Sequence, residues 1–348
     1  MGEAIAAAPW NIWGNRTAVE RMQRAARMGP RHAYIISGPA STGKSRLATS
    51  FASALICPEP REAAVGCGSC SSCRRVERGI HPDVSRVDLA YQAVRDESKS
   101  KNTSLNISTV REIGRFISLR PAESSWRVVI VDDVKTMQEP AQEAFLKTLE
   151  EPPSYVVILL LTSDADLLLP TVRSRCSIVT MSPVPDALVV DALLAQGASA
   201  EEAELIAVAS RGRVGVALMA LEEEGRKEAL LDAINDATSW IAGDPYARMV
   251  RSAQLADQFS ESRDVVFEQL LSAEVAWREL ILRLADTGKP TSHPIVSTCR
   301  LTTLDGGYRA LAAINRCLRD LDANVRPRAA IETMVLQWPD VTAGGLKE

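Results

Sequence analysis

The chain has 348 residues, 46% of them hydrophobic and 24% charged, with a formal net charge of -4. That length exceeds one ordinary core and predicts a folded protein of two or three domains. The mild acidity gives no sign of a dedicated nucleic-acid coat, though a net charge averages over the surface and leaves room for a local basic face, and the longest apolar run, Val156 to Leu161, is far below the roughly 20 residues of a membrane span.

Met1 to Ala8 are small and apolar but carry no basic start, so no signal peptide is expected. The reading is a soluble, cytoplasmic protein without a membrane partner. Seven cysteines, four of them clustered, fit a reduced compartment with a metal site better than a disulfide framework.

The first predicted strand is Ala33 to Ser37. Gly38-Pro39-Ala40-Ser41-Thr42-Gly43-Lys44-Ser45 follows, a complete G-x-x-x-x-G-K-[ST], and Ser45 to Ile56 reads as a helix with Leu47, Phe51, Ala54 and Leu55 on one side. Glycines let backbone N–H groups turn inward around phosphate oxygens, and the helix start adds partial positive charge. Gly38, Ser41, Thr42, Gly43, Lys44 and Ser45 are therefore the expected ATP-binding residues. Lys44 would reach the β and γ phosphates and Ser45 would hold Mg²⁺.

Cys57, Cys67, Cys70 and Cys73 come next, spaced nine, two and two residues apart. Four thiolates at this spacing suit a closed, structural Zn²⁺ site, with Gly66 and Gly68 supplying the tight turns. His81-Pro82-Asp83-Val84 leads into a short strand. Gln92 to Asn106 is polar and reads as a mobile loop, and Thr109-Val110-Arg111-Glu112 as a capping box opening a helix through Ile117.

Val128 to Val131 is an unbroken β-branched run, the mark of a strand buried on both faces, and it ends in Asp132-Asp133. Asp132 is assigned to magnesium and Asp133 to an attacking water. A helix from Gln142 to Glu151 stops at Pro152-Pro153, and a second buried strand, Val156 to Leu161, runs into Thr162. Strands alternating with helices predict a parallel sheet with its ligand at the carboxyl ends of the strands.

Ala144 to Pro153, followed by Ser174-Arg175-Cys176, resembles the clamp-loader branch of the AAA+ ATPases. The resemblance implies that Arg175 reaches the ATP of a neighbouring subunit as a trans arginine finger, and that Thr162 senses the γ-phosphate. It places a zinc module, here about 57–83, after the phosphate-loop helix. The His81-Pro82-Asp83 phrase is more similar to the delta-prime branch of DNA polymerase III than to the motor branch, gamma/tau.

The implied layout is an AAA+ α/β P-loop domain over 1–182, a helical lid over 183–221 and an all-α collar over 222–348, helical throughout. The boundary is marked by Pro183 and Pro185. In the collar, Val266, Leu270, Ala273, Trp277, Ile281 and Leu284 recur at helical spacing, and Asn324 to Glu332 opens a last helix.

Implied partners are gamma/tau and delta subunits in a hetero-pentameric ring, and through the complex the sliding clamp and primed DNA. In the family's motors a lid arginine contacts nucleotide. Counting back from Ala217-Leu218 puts Gly215 at that position, with Arg213 out of register. That departure, and Asp133 where many relatives have Glu, predict weak or absent hydrolysis. Two other readings stay open: a gamma-like subunit that hydrolyses ATP itself, and a scaffold with a vestigial site.

Overall fold

The structure, a computed structural model, describes residues 10–59, 65–96, 104–285, 293–323 and 325–343. The chain divides into two compact units. One is Met1–Ala192 with Gly212–Val216, the other Leu193–Arg211 with Ala217–Glu348.

The first unit opens with α1 (Arg16–Met28), β1 (Ala33–Ser37), α2 (Lys44–Ile56), α3 (Ser71–Glu77) and β2 (Val84–Val87). It continues through α4 (Leu89–Arg95), α5 (Ile107–Ser118), β3 (Arg127–Val131), α6 (Glu139–Glu150), β4 (Val156–Thr162), α7 (Pro170–Arg173) and β5 (Ser177–Thr180). The five strands form one sheet in the order β2-β3-β4-β1-β5, and every pairing is parallel. Each strand therefore needs a crossover, and the helices provide them on both faces.

The side-chain alternation of the strands divides the core in two. Tyr34, Ile36, Val128, Ile130, Leu159 and Leu161 pack with α1 and α2. Ala33, Ile35, Val129, Val131, Ile158 and Leu160 pack with α5 and α6. Both faces being covered explains why the strands read as unbroken apolar runs. This is the parallel sheet with helical crossovers that the alternation of strands and helices predicts.

Three local expectations need correction. Helix α5 is capped by Asn106, whose Oδ1 accepts from Thr109 N at 3.0 Å, so Thr109 is not the cap. Thr109 is fully buried and its hydroxyl donates to Gln92 Oε1 at 2.5 Å. Of the segment read as a loop, residues 92–95 belong to α4, while 97–103 lie outside the described residues. Helix α6 begins three residues before Gln142, because a proline in its first turn (Pro140) gives up only an N–H that has no intrahelical partner there.

Next come α8 (Asp186–Ala195), α9 (Ala200–Ser210), α10 (Val214–Glu222), α11 (Arg226–Ala242), α12 (Pro245–Gln258) and α13 (Arg263–Leu284). They are followed by α14 (Ile295–Thr298), β6 (Cys299–Leu301), α15 (Leu304–Asp322), α16 (Pro327–Val335) and β7 (Val341–Ala343). The stretch from 222 onward is thus not helical throughout, since β6 and β7 pair antiparallel.

From Val266 to Ile281 the stripe read on α13 is part of the core of the second unit, whereas Leu284, the last residue of the helix, is exposed. Val266, Leu270, Ala273 and Trp277 are fully buried there. Trp240 and Trp277 flank Trp338 with ring centroids 4.7 and 5.6 Å away. Arg248, also buried, donates to Ile241 O and, at 2.9 Å, to Pro339 O, which ties the segment between α16 and β7 to α12. Among the described residues no helix is long and apolar enough to cross a membrane.

Candidate functional site: a phosphate loop, a surface arginine and a four-cysteine cluster

Strand β1 is central in the sheet, so the loop after it opens at the carboxyl edge beside the ends of β3 and β4. Gly38 and Gly43 have φ of 154° and 97°, and Ser41, a non-glycine, has φ 59°. A Cβ on Gly38 would lie 2.0 Å from Met181 O, so only glycine fits at the loop's first position. The loop is anchored to β4 by Gly38 N donating to Thr162 O at 3.2 Å.

Within the loop, Lys44 Nζ donates to Gly38 O at 2.6 Å and Pro39 O at 2.7 Å, and Thr42 Oγ1 donates to Pro39 O at 2.9 Å. Burial pushes the Lys44 pKa down, opposed by the nearby Asp132 and Asp133 carboxylates. The lysine thus stands over the loop, on carbonyls it would leave to meet a phosphate. Loop, glycines, lysine and the α2 N-terminus together fit a polyphosphate.

The two residues assigned to magnesium are joined by a group that the sequence reading missed. Arg86, on β2, donates from Nη2 to Ser45 Oγ at 2.6 Å and to Asp132 Oδ2. Register explains the reach. Arg86 pairs with Ile130, and Asp132 N donates to Val87 O at 2.8 Å, so Asp132 and Arg86 meet at adjacent strand ends. As folded, this pair does not fit a magnesium ion. Mg²⁺ needs near-octahedral oxygens at about 2.0–2.1 Å, and the two oxygens here converge on a guanidinium nitrogen. No local pattern around Arg86 could have signalled it.

Asp133 follows in the left-handed region (φ 48°), with its N–H on Asp132 Oδ1 at 3.1 Å. Thr162 is buried, and its hydroxyl donates to Asp164 O at 2.8 Å and accepts from Asp164 N at 3.2 Å. That hydroxyl therefore closes a local turn, while its carbonyl holds the loop. Gly215 packs on the loop itself: its N–H donates to Ser41 O at 3.0 Å, and a Cβ there would lie 2.8 Å from the same oxygen.

Arg175 lies elsewhere. It precedes β5, whose Ser177 is level with Tyr34 and whose Thr180 is level with Ser37 at the loop. About 10 Å of strand, at roughly 3.3 Å per residue, separates the two levels, so Arg175 is at the opposite end of the sheet from the phosphate loop. It is part-exposed, donating to Glu150 Oε1 at 2.7 Å and Thr171 O at 2.9 Å. The two motifs that carried the resemblance thus meet in one ion pair, the last residue of α6 with Arg175.

Cys57 ends α2, Cys70 caps α3 and Cys73 lies in its first turn. With Cys67 their sulfurs all lie within 4.8 Å of one another. Cys67 Sγ and Cys73 Sγ are 3.9 Å apart, and a tetrahedron with Zn–S arms of about 2.3 Å has edges of about 3.8 Å. Backbone N–H groups of Cys67, Cys70 and Cys73 point at the sulfurs of Cys57, Cys67 and Cys70, each at 3.3 Å. The N–H of Cys70, with help from the Ser69 hydroxyl, holds the Cys67 thiol down to about 6. Such donors favour thiolates, so the cluster could hold one zinc ion.

The two glycines here differ in their reasons. Gly68 has φ 73°, whereas Gly66 is needed for space, a Cβ meeting Ser53 Oγ at 2.4 Å and Cys73 Sγ at 3.1 Å. Residues 60–64 of the expected module lie outside the described residues.

The His81-Pro82-Asp83 phrase proves structural. Asp83 is fully buried and accepts from Ala122 N (2.6 Å), Glu123 N (2.9 Å), Ser124 N and Oγ (both 3.0 Å) and Arg127 Nη2 (3.3 Å).

Residues 14–185 match a family model described as DNA polymerase III, delta subunit. The DNA polymerase III subunit delta' of Pseudomonas aeruginosa is 28% identical over 90% of this chain and 93% of its own. The Escherichia coli subunit delta' is 32% identical over 62% of each chain. The Haemophilus influenzae subunit tau/gamma is 34% identical over 42% of this chain and 19% of its own. Carrying a glycine-lysine loop on a five-stranded parallel sheet, the chain is similar to DNA polymerase III delta' subunits over most of its length and to tau and gamma subunits over a shorter stretch.

Proposed function

We propose that this chain is a clamp-loader subunit of DNA polymerase III that binds ATP in the Gly38 to Ser45 loop and offers Arg175 to the nucleotide of a neighbouring tau/gamma subunit. The observation that carries the proposal is the separation of the two sites. Arg175 lies at the opposite end of the sheet from its own chain's loop and faces solvent in part, so a phosphate it touches belongs to another molecule. A planar guanidinium suits the charge that develops on a transferring phosphoryl group. The Glu150 pairing holds it in place until a stronger anion arrives.

In this reading the ring holds tau/gamma and delta subunits, the chain contributes a lid over 183–221 and a collar over 222–348, and the assembly loads the sliding clamp on primed DNA in the cytoplasm. The four-cysteine module holds one structural zinc ion. A gamma-like motor role is disfavoured by Gly215, which lacks the side chain a lid arginine would need and has no room to gain one.

The test is DNA-stimulated ATPase of the reconstituted ring with the substitution in this chain alone. Arg175→Ala lowers turnover at the neighbouring site by roughly 10³-fold, as loss of an arginine finger does, while Lys44→Ala changes the ring rate little. Normal ATPase with Arg175→Ala sinks the trans role, and a collapse with Lys44→Ala makes this chain a motor.

A further inference from the structure

The phosphate loop has a cation of its own, on the chain rather than in solution. Arg86 Nη2 donates to both Ser45 Oγ and the Asp132 carboxylate, the two oxygens a nucleotide-bound magnesium ion would use. The guanidinium presents five N–H donors in a fixed fork, of which these two contacts use only one nitrogen. It neutralises Asp132, and its remaining N–H groups form a fork suited to phosphate oxygens. The side chain is 41% exposed, so it is not sealed under the sheet. The backbone beneath it is fixed, because β2 and β3 are hydrogen-bonded through Val87 O.

We infer that Arg86 is a tethered counter-ion for the nucleotide, which makes binding of a nucleoside di- or triphosphate at this loop independent of divalent metal. The inference rests on the ATP-binding reading above and deepens it. Phosphate charge is met by Lys44, the loop N–H groups and the α2 N-terminus on one side and by Arg86 on the other. The Ser45 and Asp132 oxygens stay engaged with the guanidinium and do not recruit a metal. A site of this kind holds nucleotide and does not turn it over, which fits a subunit whose part in hydrolysis is played at a neighbour's site.

The experiment is calorimetric titration of the purified full chain with ATP and ADP, in excess Mg²⁺ and in excess EDTA, for the wild type, Arg86→Gln and Arg86→Lys. The wild type is expected to bind with affinities within about threefold of each other in the two conditions. Arg86→Gln is expected to lose about tenfold or more in EDTA, the size of one charge-assisted hydrogen bond, and to regain much of it in Mg²⁺. Arg86→Lys, which keeps the charge, falls between them. A wild type whose affinity drops tenfold or more in EDTA overturns the inference without any variant and leaves the ATP-binding reading standing. So does Arg86→Gln binding as the wild type does in both conditions. A wild type that binds neither nucleotide in either condition overturns the ATP-binding reading and this inference with it.

Discussion

Asp83→Asn probes the buried carboxylate that organises the edge of the sheet. One Asp83 oxygen accepts from Ala122 N and Arg127, the other from Glu123 N and from both Ser124 donors. An amide keeps the shape but turns one oxygen into a donor. Whichever way it flips, at least two donors lose their partner, at about 1–3 kcal/mol each. The charge facing the buried Arg127 also goes, which for a broken buried pair costs about 3–5 kcal/mol.

Arg127 keeps part of its support. It still donates to Phe116 O at 2.8 Å and Arg120 O at 2.9 Å and lies 4.4 Å from the Phe116 ring centre. The lower end of the range, about 3 kcal/mol, is therefore expected. At roughly 2–4 °C per kcal/mol for a unit of this size, the melting temperature of the first unit falls by about 6–12 °C.

The pH dependence has a definite sign. Burial pushes the Asp83 carboxyl up, but the N–H groups of Ala122, Glu123 and Ser124 and the Ser124 hydroxyl outweigh it and hold the folded pKa below the usual carboxylate value. A carboxyl depressed in the folded state stabilises above its unfolded pKa of about 3.9 and loses that contribution as pH falls through the folded value. The gap between wild type and Asp83→Asn should thus be constant from neutral pH to about pH 5 and close below about pH 4. Urea and thermal unfolding followed by circular dichroism read both effects. A shift under about 2 °C at neutral pH, or a gap that widens in acid, would refute the assignment of Asp83 as an ionised hub.

Two further predictions concern the cysteine module and the lid contact. The purified chain carries about one zinc per molecule by atomic emission; Cys70→Ser lowers that content, and Gly66→Ala lowers zinc retention under chelator challenge because its Cβ meets Ser53 and Cys73. Wild-type protein free of zinc after preparation in zinc-replete medium would count against the metal reading. Gly215→Arg, which writes the motor family's lid residue into this chain, weakens nucleotide binding instead of creating an ATPase, since its Cβ lies 2.8 Å from Ser41 O. Gained turnover in the isolated chain would show that the loop yields to the new side chain.

Much of the candidate site was legible because its parts are local. The loop is eight consecutive residues between a strand and a helix, and its motif is read without any distant residue, although the space that keeps Gly38 a glycine is set by Met181. The cysteines announce themselves by spacing, and the apolar runs of β3 and β4 announce a sheet covered on both faces. Local signals also misled. Thr109 with Glu112 has the form of a capping box, yet Asn106 lies three residues earlier and takes the cap, which sends Thr109 into the core.

What the sequence by itself determined was the local arrangement of contiguous residues: a glycine-lysine loop between a strand and a helix, a four-thiol cluster, a parallel α/β sheet and an arginine in its Ser-Arg-Cys setting. The tertiary structure alone decided which distant residues share a site. Arg86 meets Ser45 and Asp132 across 41 and 46 positions, and Arg175 meets Glu150 across 25. Asp83 gathers donors 39 to 44 residues away. Those pairings depend on β2 lying beside β3 in one register and on β5 lying at the far side of β1. Strand order is settled by which apolar faces close over one another, a property of the whole core that no short stretch of chain encodes.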